Sequence, residues 1–424
     1  MERYKEYKSS VIPGMNEIPA HWKEILNGIL FKENVRKPMY NDIPLSLSQK
    51  DGLIPTDLMK ENSLKTSSYD NWKRVLKRDL VLNRFKAHLG VMMASDYEGM
   101  VSFHYGVYEP QLSLNTKYYE LLYHTDVYKG IYAYSSNGMT VGLQNLSNLA
   151  FYGIRGLYPP VDEQEKIVSY IESKTSKIDE YIAERERELQ LLNELKEAEI
   201  AKVVTQGLNP NVKMKDSGIS WIGLIPEHWE VRHLSQIAYE HYISNKDVHH
   251  QNLLSLSYGR IIRKDINTTE GLLPASFDTY QIVEEGNIVM RLTDLQNDHK
   301  SLRVGLVKED GIVTSAYVCL GVFDSIVPSY LYNILHSYDI KKLFYSMGGG
   351  LRQNLNWQGL KKLDIPLPPL DEQQAIVTYI NDKTAKVESL ITELQAEIDY
   401  LKEYKQRLIA DCVTGQVNVQ NATL

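Results

Sequence analysis

Pro159-Pro160-Val161-Asp162-Glu163-Gln164 recurs as Pro368-Pro369-Leu370-Asp371-Glu372-Gln373, and each copy opens a long segment of regular apolar spacing. Working outward, Leu143-Gln144-Asn145-Leu146 matches Arg352-Gln353-Asn354-Leu355 at the same offset of 209 residues (368 − 159). Further upstream, Ile18-Pro19-Ala20-His21-Trp22 matches Ile225-Pro226-Glu227-His228-Trp229. Between 158–209 and 367–418, 23 of 52 positions are identical. A period this long is no solenoid repeat; it marks a duplicated domain-plus-helix unit. The inserts between the anchors diverge. Residues 40–78 and 247–285 share little, and the halves line up again only at fragments such as Leu80-Val81-Leu82-Asn83-Arg84 beside Asn287-Ile288-Val289-Met290-Arg291. Two similar frames with different inserts are what two separate recognition surfaces require.

The proline pair disfavours helix in the residue before it, so the chain enters extended. Asp162 and Asp371 are then expected as N-caps, with Glu165 and Gln374 completing capping boxes. In the second helix Ile380, Val387, Leu394, Leu401 and Leu408 recur every seven residues, with Ile391 and Ile398 on the interleaved position. The first helix repeats this with Ile171, Ile178, Ile182, Leu189 and Leu192, interrupted by Arg185 and Glu199. Such a seam predicts two helices of about 60 Å paired as an antiparallel coiled coil. A solvated helix packed on its own domain fits the regularity less well. Gly207 and Pro210 stop the first helix, and 212–223 reads as a linker. The stretches between mix strand-like runs, Asn287–Leu292 and Gly311–Gly321, with an amphipathic helix over Ser329–Phe344. The expected fold is therefore α+β: a globular domain in 1–157, a long helix in 158–207, a second domain in 208–366 and a second long helix in 367–424. Trp22 and Trp229 read as core anchors.

Composition narrows the function classes. No run of 18 apolar residues occurs, so no membrane span is expected. Cys319 and Cys412 are too few for a disulfide framework or a usual metal site, and suit a reducing cytoplasm. The net charge of −7 is uneven: +3 over 1–161, −5 over 162–206, −1 over 207–366 and −4 over 367–424. The acid lies in the helices, which leaves the domains free to carry basic faces. No Walker loop is present. Tyr158-Pro159-Pro160-Val161 lacks the acidic or amide residue and the aromatic of an amino-methyltransferase motif. Gly348-Gly349-Gly350 has no nucleotide-binding context, and His104, His124 and His249-His250 have no ligand spacing. No acid, base or nucleophile set recurs in both halves, so neither catalysis nor a metal is expected.

Two divergent domains, each opening on Ile-Pro-x-x-Trp and closing on Pro-Pro-x-x-Glu-Gln before a long helix, resemble the specificity subunit of bacterial type I restriction-modification enzymes. The strongest motifs are Ile365-Pro366-Leu367-Pro368-Pro369-Leu370-Asp371-Glu372-Gln373 and the preceding Gly350-Leu351-Arg352-Gln353-Asn354-Leu355. The first half departs, with Gly156-Leu157-Tyr158 before its prolines and Leu143 where the second has Arg352. The resemblance implies a non-catalytic subunit whose target-recognition domains each read one half of a split, asymmetric double-stranded DNA target, with the helices as ruler. It also implies two modification (methyltransferase) subunits carrying S-adenosylmethionine, and restriction subunits carrying an ATP- and Mg-dependent motor, with no cofactor on this chain.

Base readout uses Arg, Lys, Asn and Gln. Candidates are Arg36, Lys37, Lys50, Lys73, Arg74 and Lys86 in the first domain, and Arg260, Arg263, Lys264, Lys300, Arg303, Arg352 and Gln353 in the second. Tyr69, Tyr258 and Tyr280 are aromatics that flank them. Arg84 and Arg291 hold matching strand positions, which suits a structural role equally well. The competing readings are a two-headed coiled-coil adaptor that does not touch DNA, and an enzyme with an unrecognised site.

Overall fold

The computed structural model describes residues 2–49, 51–59, 69, 71–136, 144–246, 250–266, 276–296, 302–347 and 354–421. The chain folds as two compact units. One comprises Met1–Glu186 with Ala396–Leu424, the other Arg187–Gln395. This differs from the four-part division expected above, because the boundary cuts both long helices, Val161–Gln206 and Leu370–Val413. The reason lies in the cores. In the first unit, Ile167 and Ile171 from the start of one helix share a core with Leu408, Cys412 and Val413 from the end of the other. In the second, Ile200, Val203 and Val204 share a core with Ile376, Val377 and Ile380. Each globular region is thus closed by the beginning of one helix and the end of the other.

Both units carry the same antiparallel four-stranded sheet. In the first its order is Phe31–Glu33, Tyr105–Pro110, Leu80–Asn83, Met92–Ala94. In the second it is Ala238–Glu240, Val318–Val322, Ile288–Met290, Val304–Leu306. A two-stranded ribbon precedes each long helix, Lys23–Leu26 with Arg155–Tyr158 and Glu230–His233 with Asp364–Leu367. The divergent inserts also hide a twin. Leu45-Ser46-Leu47-Ser48 and Leu254-Ser255-Leu256-Ser257 form the first strands of matching hairpins, paired with Gly52–Pro55 and Arg260–Arg263.

Several local expectations change. The segment read as a linker is folded: Met214–Asp216 pairs with Leu224–Pro226 just as Tyr7–Ser9 pairs with Glu17–Pro19. The run Gly311–Gly321 is two strands, Gly311–Val313 and Val318–Val322, broken at a turn where Tyr317 N donates to Thr314 O at 3.2 Å. The helix over Ser329–Phe344 becomes Pro328–Ile340 and Leu343–Met347, parted at Lys342, whose φ is 60°. Neither Asp162 nor Asp371 is an N-cap. The amides of Glu163 and Gln164 both donate to Pro160 O at 3.0 Å, so the first helix already runs from Val161. Proline is well placed there because its missing amide is not needed. The acids lie in the first turn, where the helix dipole still favours them.

The seam positions face inward. In the first unit Ile171, Ile182, Ile398 and Leu408 are buried and Ile178 and Leu401 half-buried. In the second Ile380 is buried and Leu189, Leu192, Val387, Ile391 and Leu394 are half-buried. The two interruptions are cross-helix links. Arg185 lies over the Tyr181 ring at 4.6 Å, with its Nε 3.7 Å from Glu397, to which Tyr181 donates at 2.9 Å. Glu199 accepts from Tyr379 at 2.7 Å. The pairs Lys402–Glu186 at 2.9 Å and Lys405–Asp179 at 2.6 Å in one unit, and Lys196–Glu388 at 3.9 Å taken with Tyr379–Glu199 in the other, fix an antiparallel register in each.

Candidate nucleic-acid interface

The repeated motifs meet each other. Glu163 accepts from Trp22 Nε1 at 3.1 Å, bonds His21 Nε2 at 2.8 Å and takes the Tyr4 hydroxyl. Burial, then the Glu163 carboxylate, pushes that hydroxyl well above its ordinary range, so Tyr4 stays a neutral donor. Glu372 accepts from Trp229 at 3.0 Å and bonds His228 at 2.8 Å. The next residue ties the helix to the domain. Gln164 bonds Pro159 O and the amide of Asn115, both at 2.9 Å, and Gln373 bonds Pro368 O at 2.9 Å and the amide of Val327 at 2.8 Å. These shared residues are joinery between each domain and its helix.

The structure sorts the basic candidates. Lys73 and Arg303 are buried and are corrected to structural residues. Lys73 Nζ bonds Glu33 at 2.9 Å and Tyr105 O at 2.7 Å. Arg303 spends its guanidinium on Tyr345, at 3.1 Å, and on the carbonyls of Arg291 and Thr293, at 3.1 and 2.9 Å. Neither can reach a base edge without leaving buried polar groups unpaired. Arg36 and Arg74 are largely covered and ion-paired, Arg36 to Asp79 at 2.7 Å and Glu109 at 2.9 Å, Arg74 to Asp42 at 3.2 Å. Arg260 and Arg263 are about 70% exposed (71% and 69%) and paired to Glu388, at 3.0 Å, and Glu309. Exposed pairs of this kind are weakened by solvent screening and hold their cations only loosely. Lys37, Lys86 and Lys264 stand exposed. Lys50, Lys300, Arg352 and Gln353 lie outside the described residues.

Arg84 proves structural. It bonds Glu33 and Asn148, at 2.5 and 2.7 Å. Burial by itself would raise the Glu33 carboxyl, but the Lys73 hydrogen bond and the Arg84 and Lys73 charges hold it below its usual range. Arg291 donates its amide to Arg303 O at 2.9 Å. The sequence reading missed these carboxylate partners because they lie dozens of residues away, and no periodicity in one sequence couples them. Among the described residues no cluster of three His, Cys, Asp or Glu could hold a metal ion. His124 faces Met92 O at 2.7 Å, and burial lowers its pKa. Burial pushes the thiols of Cys319 and Cys412 up to about 12. Among the described residues no helix is long and apolar enough to cross a membrane.

Residues 277–400 match the model of the type I restriction modification DNA specificity domain. The chain is 24% identical over 297 residues to the type I restriction enzyme MjaVIII specificity subunit of Methanocaldococcus jannaschii, covering 66% of each chain. It is 23% identical over 453 aligned positions to the putative MjaX specificity subunit of the same organism, covering 99% of each. The type I restriction enzyme EcoBI specificity subunit of Escherichia coli is 23% identical over 314 residues, covering 68% of this chain and 64% of that one. Among solved structures, a chain of a type I R-M system described for its complex assembly and conformational transition has a TM-score of 0.69 at 14% identity, covering 94% of this chain and 99% of its own. The HsdS subunit from Thermoanaerobacter tengcongensis has a TM-score of 0.50 at 14% identity, over 95% and 99%. These structural likenesses establish a shared fold.

Proposed function

We propose that this chain, which carries the type I DNA specificity domain over 277–400, is the specificity subunit of a type I restriction-modification enzyme. Each globular unit reads one half of a split, asymmetric duplex target. The observation that carries the reading is that this domain sits on a frame built twice, with the frame's shared residues committed to joinery and its inserts left to differ.

The physical case follows from charge and length. Lys37 and Lys86 in one unit, and Arg260, Arg263 and Lys264 in the other, supply exposed cations for phosphate or base edges. The acidic helices keep phosphate away from themselves. Helices of 46 and 44 residues run about 69 and 66 Å, longer than the 34–36 Å that separates half-sites one turn apart, so they can serve as a ruler. Two modification subunits supply S-adenosylmethionine and the methyl transfer, and restriction subunits supply the ATP- and Mg-dependent motor. The chain contributes the address and performs no chemistry.

The test is an exchange. Replacing residues 1–157 with those of a relative changes one half of the methylated motif in the host genome and leaves the other intact; an unchanged motif rejects the reading. A two-headed adaptor that does not touch DNA predicts that its complex with a modification subunit shows no salt-dependent, sequence-dependent duplex binding owed to this chain. The purified chain alone, given DNA and S-adenosylmethionine, transfers no methyl group.

A further inference from the structure

One end of the first unit carries aromatics that its core does not use. Lys73–Val75 pairs with Gly99–Val101 so that Lys73 faces Val101. Trp72 and Ser102 are therefore brought to the same end of this ribbon. Tyr105 faces Asn83 across the neighbouring strands, so the turn through Phe103 and His104 and the segment after Asn83 emerge there too. Phe103 lies against His104 with ring centroids 3.9 Å apart and planes tilted by 36°, Phe85 meets the same imidazole at 5.9 Å, and Tyr69 meets Trp72 edge-on at 4.9 Å. Phe85 is 43% and Phe103 51% exposed. The second unit has Ser315-Ala316-Tyr317 at the corresponding turn and no such pair of phenylalanines.

The charge beneath this ledge favours a polyanion. Glu33 is covered by Lys73 and Arg84, and Lys86, adjacent to Phe85, adds an exposed cation. Apolar rings above a local excess of positive charge are suited to a groove in which bases lie between phosphates. Aromatic side chains inserted at a base step unstack it partially and kink the duplex, and the ease of doing so depends on the step.

We propose that Phe85 and Phe103 form a base-stacking wedge on double-stranded DNA, so that the first unit reads its half-site partly through the deformability of a base step. This rests on the specificity-subunit reading above and adds a contact that carries no charge. That distinction makes it testable.

The experiment uses the full chain assembled with its modification subunits and a duplex bearing the host's methylated motif. Phe85→Ala/Phe103→Ala lowers affinity about tenfold to a hundredfold with the salt slope unchanged, and reduces the DNA bend read by energy transfer between end labels. Lys86→Ala lowers the salt slope by about one instead. Wild-type affinity and bend in the double variant overturn the proposal. So does loss of the modification subunits by that variant, which would make the ledge a protein-docking surface. If the unmutated complex shows no sequence preference, the specificity-subunit reading fails and takes this proposal with it.

Discussion

The two units share a frame and differ in what fills it. The core of the first is aromatic: Phe31, Tyr108, Tyr118, Tyr119, Tyr123, Tyr128, Tyr132 and Phe151 are fully buried, with Phe31 and Tyr119 edge-on at 5.2 Å and Tyr123 and Tyr128 tilted at 5.1 Å. The core of the second is more aliphatic, built on Ile288, Leu320, Leu331, Ile334 and Leu335 around the rings of Trp229, Tyr330, Tyr338 and Phe344. Yet one job is kept in both. Tyr118 donates to Val413 O at 2.8 Å, and Tyr330 donates to Val204 O at 3.0 Å, each holding the last turn of a long helix. Two more hydroxyls of the tyrosine-rich core find acceptors, Tyr123 in Asn27 at 2.6 Å and Tyr128 in Arg155 O at 2.8 Å. A duplicated frame thus constrains where hydrogen bonds must close a helix end, and leaves side-chain volume free to drift.

The largest effect should come from the tryptophans. Trp22 and Trp229 are fully buried, each donating to its glutamate. Trp22→Ala and Trp229→Ala should each cost about 3–5 kcal/mol in denaturant titrations followed by circular dichroism. A loss below about 1 kcal/mol for either would break the claim that the two sites are equivalent.

The next comparison concerns charge. Lys73 and Gln281 hold the same strand position, facing Val101 and Val313. Gln281 bonds the carbonyls of Thr314 and Tyr317, whereas Lys73 also neutralises Glu33. Lys73→Gln, which installs the second unit's residue, should cost about 1.5–3 kcal/mol by removing one of the two cations on a partly buried carboxylate and leaving it to Arg84 and Asn148, and Lys73→Gln/Glu33→Gln should recover part of that. The folded Glu33 carboxyl lies below its ordinary 4.5. Its contribution is therefore present above that value and is lost as pH falls through the lower folded one. Lys73→Gln should flatten this acid-side loss in a stability profile. An unchanged profile would show that Arg84 and Asn148 hold Glu33 unaided.

The smallest difference concerns two glycines past the helix ends. Gly207 and Gly415 have φ of 75° and 74°. A Cβ at Gly415 would lie 2.5 Å from the Pro19 ring and 3.0 Å from Trp22, while one at Gly207 would meet the Glu372 carboxylate at 2.9 Å. The left-handed backbone costs both substitutions about 1–2 kcal/mol, and the rigid ring adds overpacking at one. Gly415→Ala should therefore lose about 2–4 kcal/mol and Gly207→Ala about 1–2 in thermal unfolding. Equal losses would mean the Pro19 ring yields as easily as a carboxylate.

Much of this architecture is written in local pattern. The duplication, the α+β character, the heptad seam and the tryptophan anchors all follow from identity at fixed spacing, because a frame that folds twice must repeat the residues that shape it. The folded linker and the matching hairpins also leave a trace: Lys8 and Ser10 recur as Lys215 and Ser217, and Leu45–Ser48 recurs as Leu254–Ser257. What the sequence could not decide was which charges are spent. Lys73 and Arg303 look like their exposed neighbours in a list of residues, and only the folded chain brings Glu33 and the Arg291 and Thr293 carbonyls to them. Nor could it decide where one unit ends, since Leu408 and Val413 complete a core begun near the amino terminus. Spacing along the chain reports helices and repeats, but burial and ion pairing depend on distances through space, and those are set only when the halves of each core close.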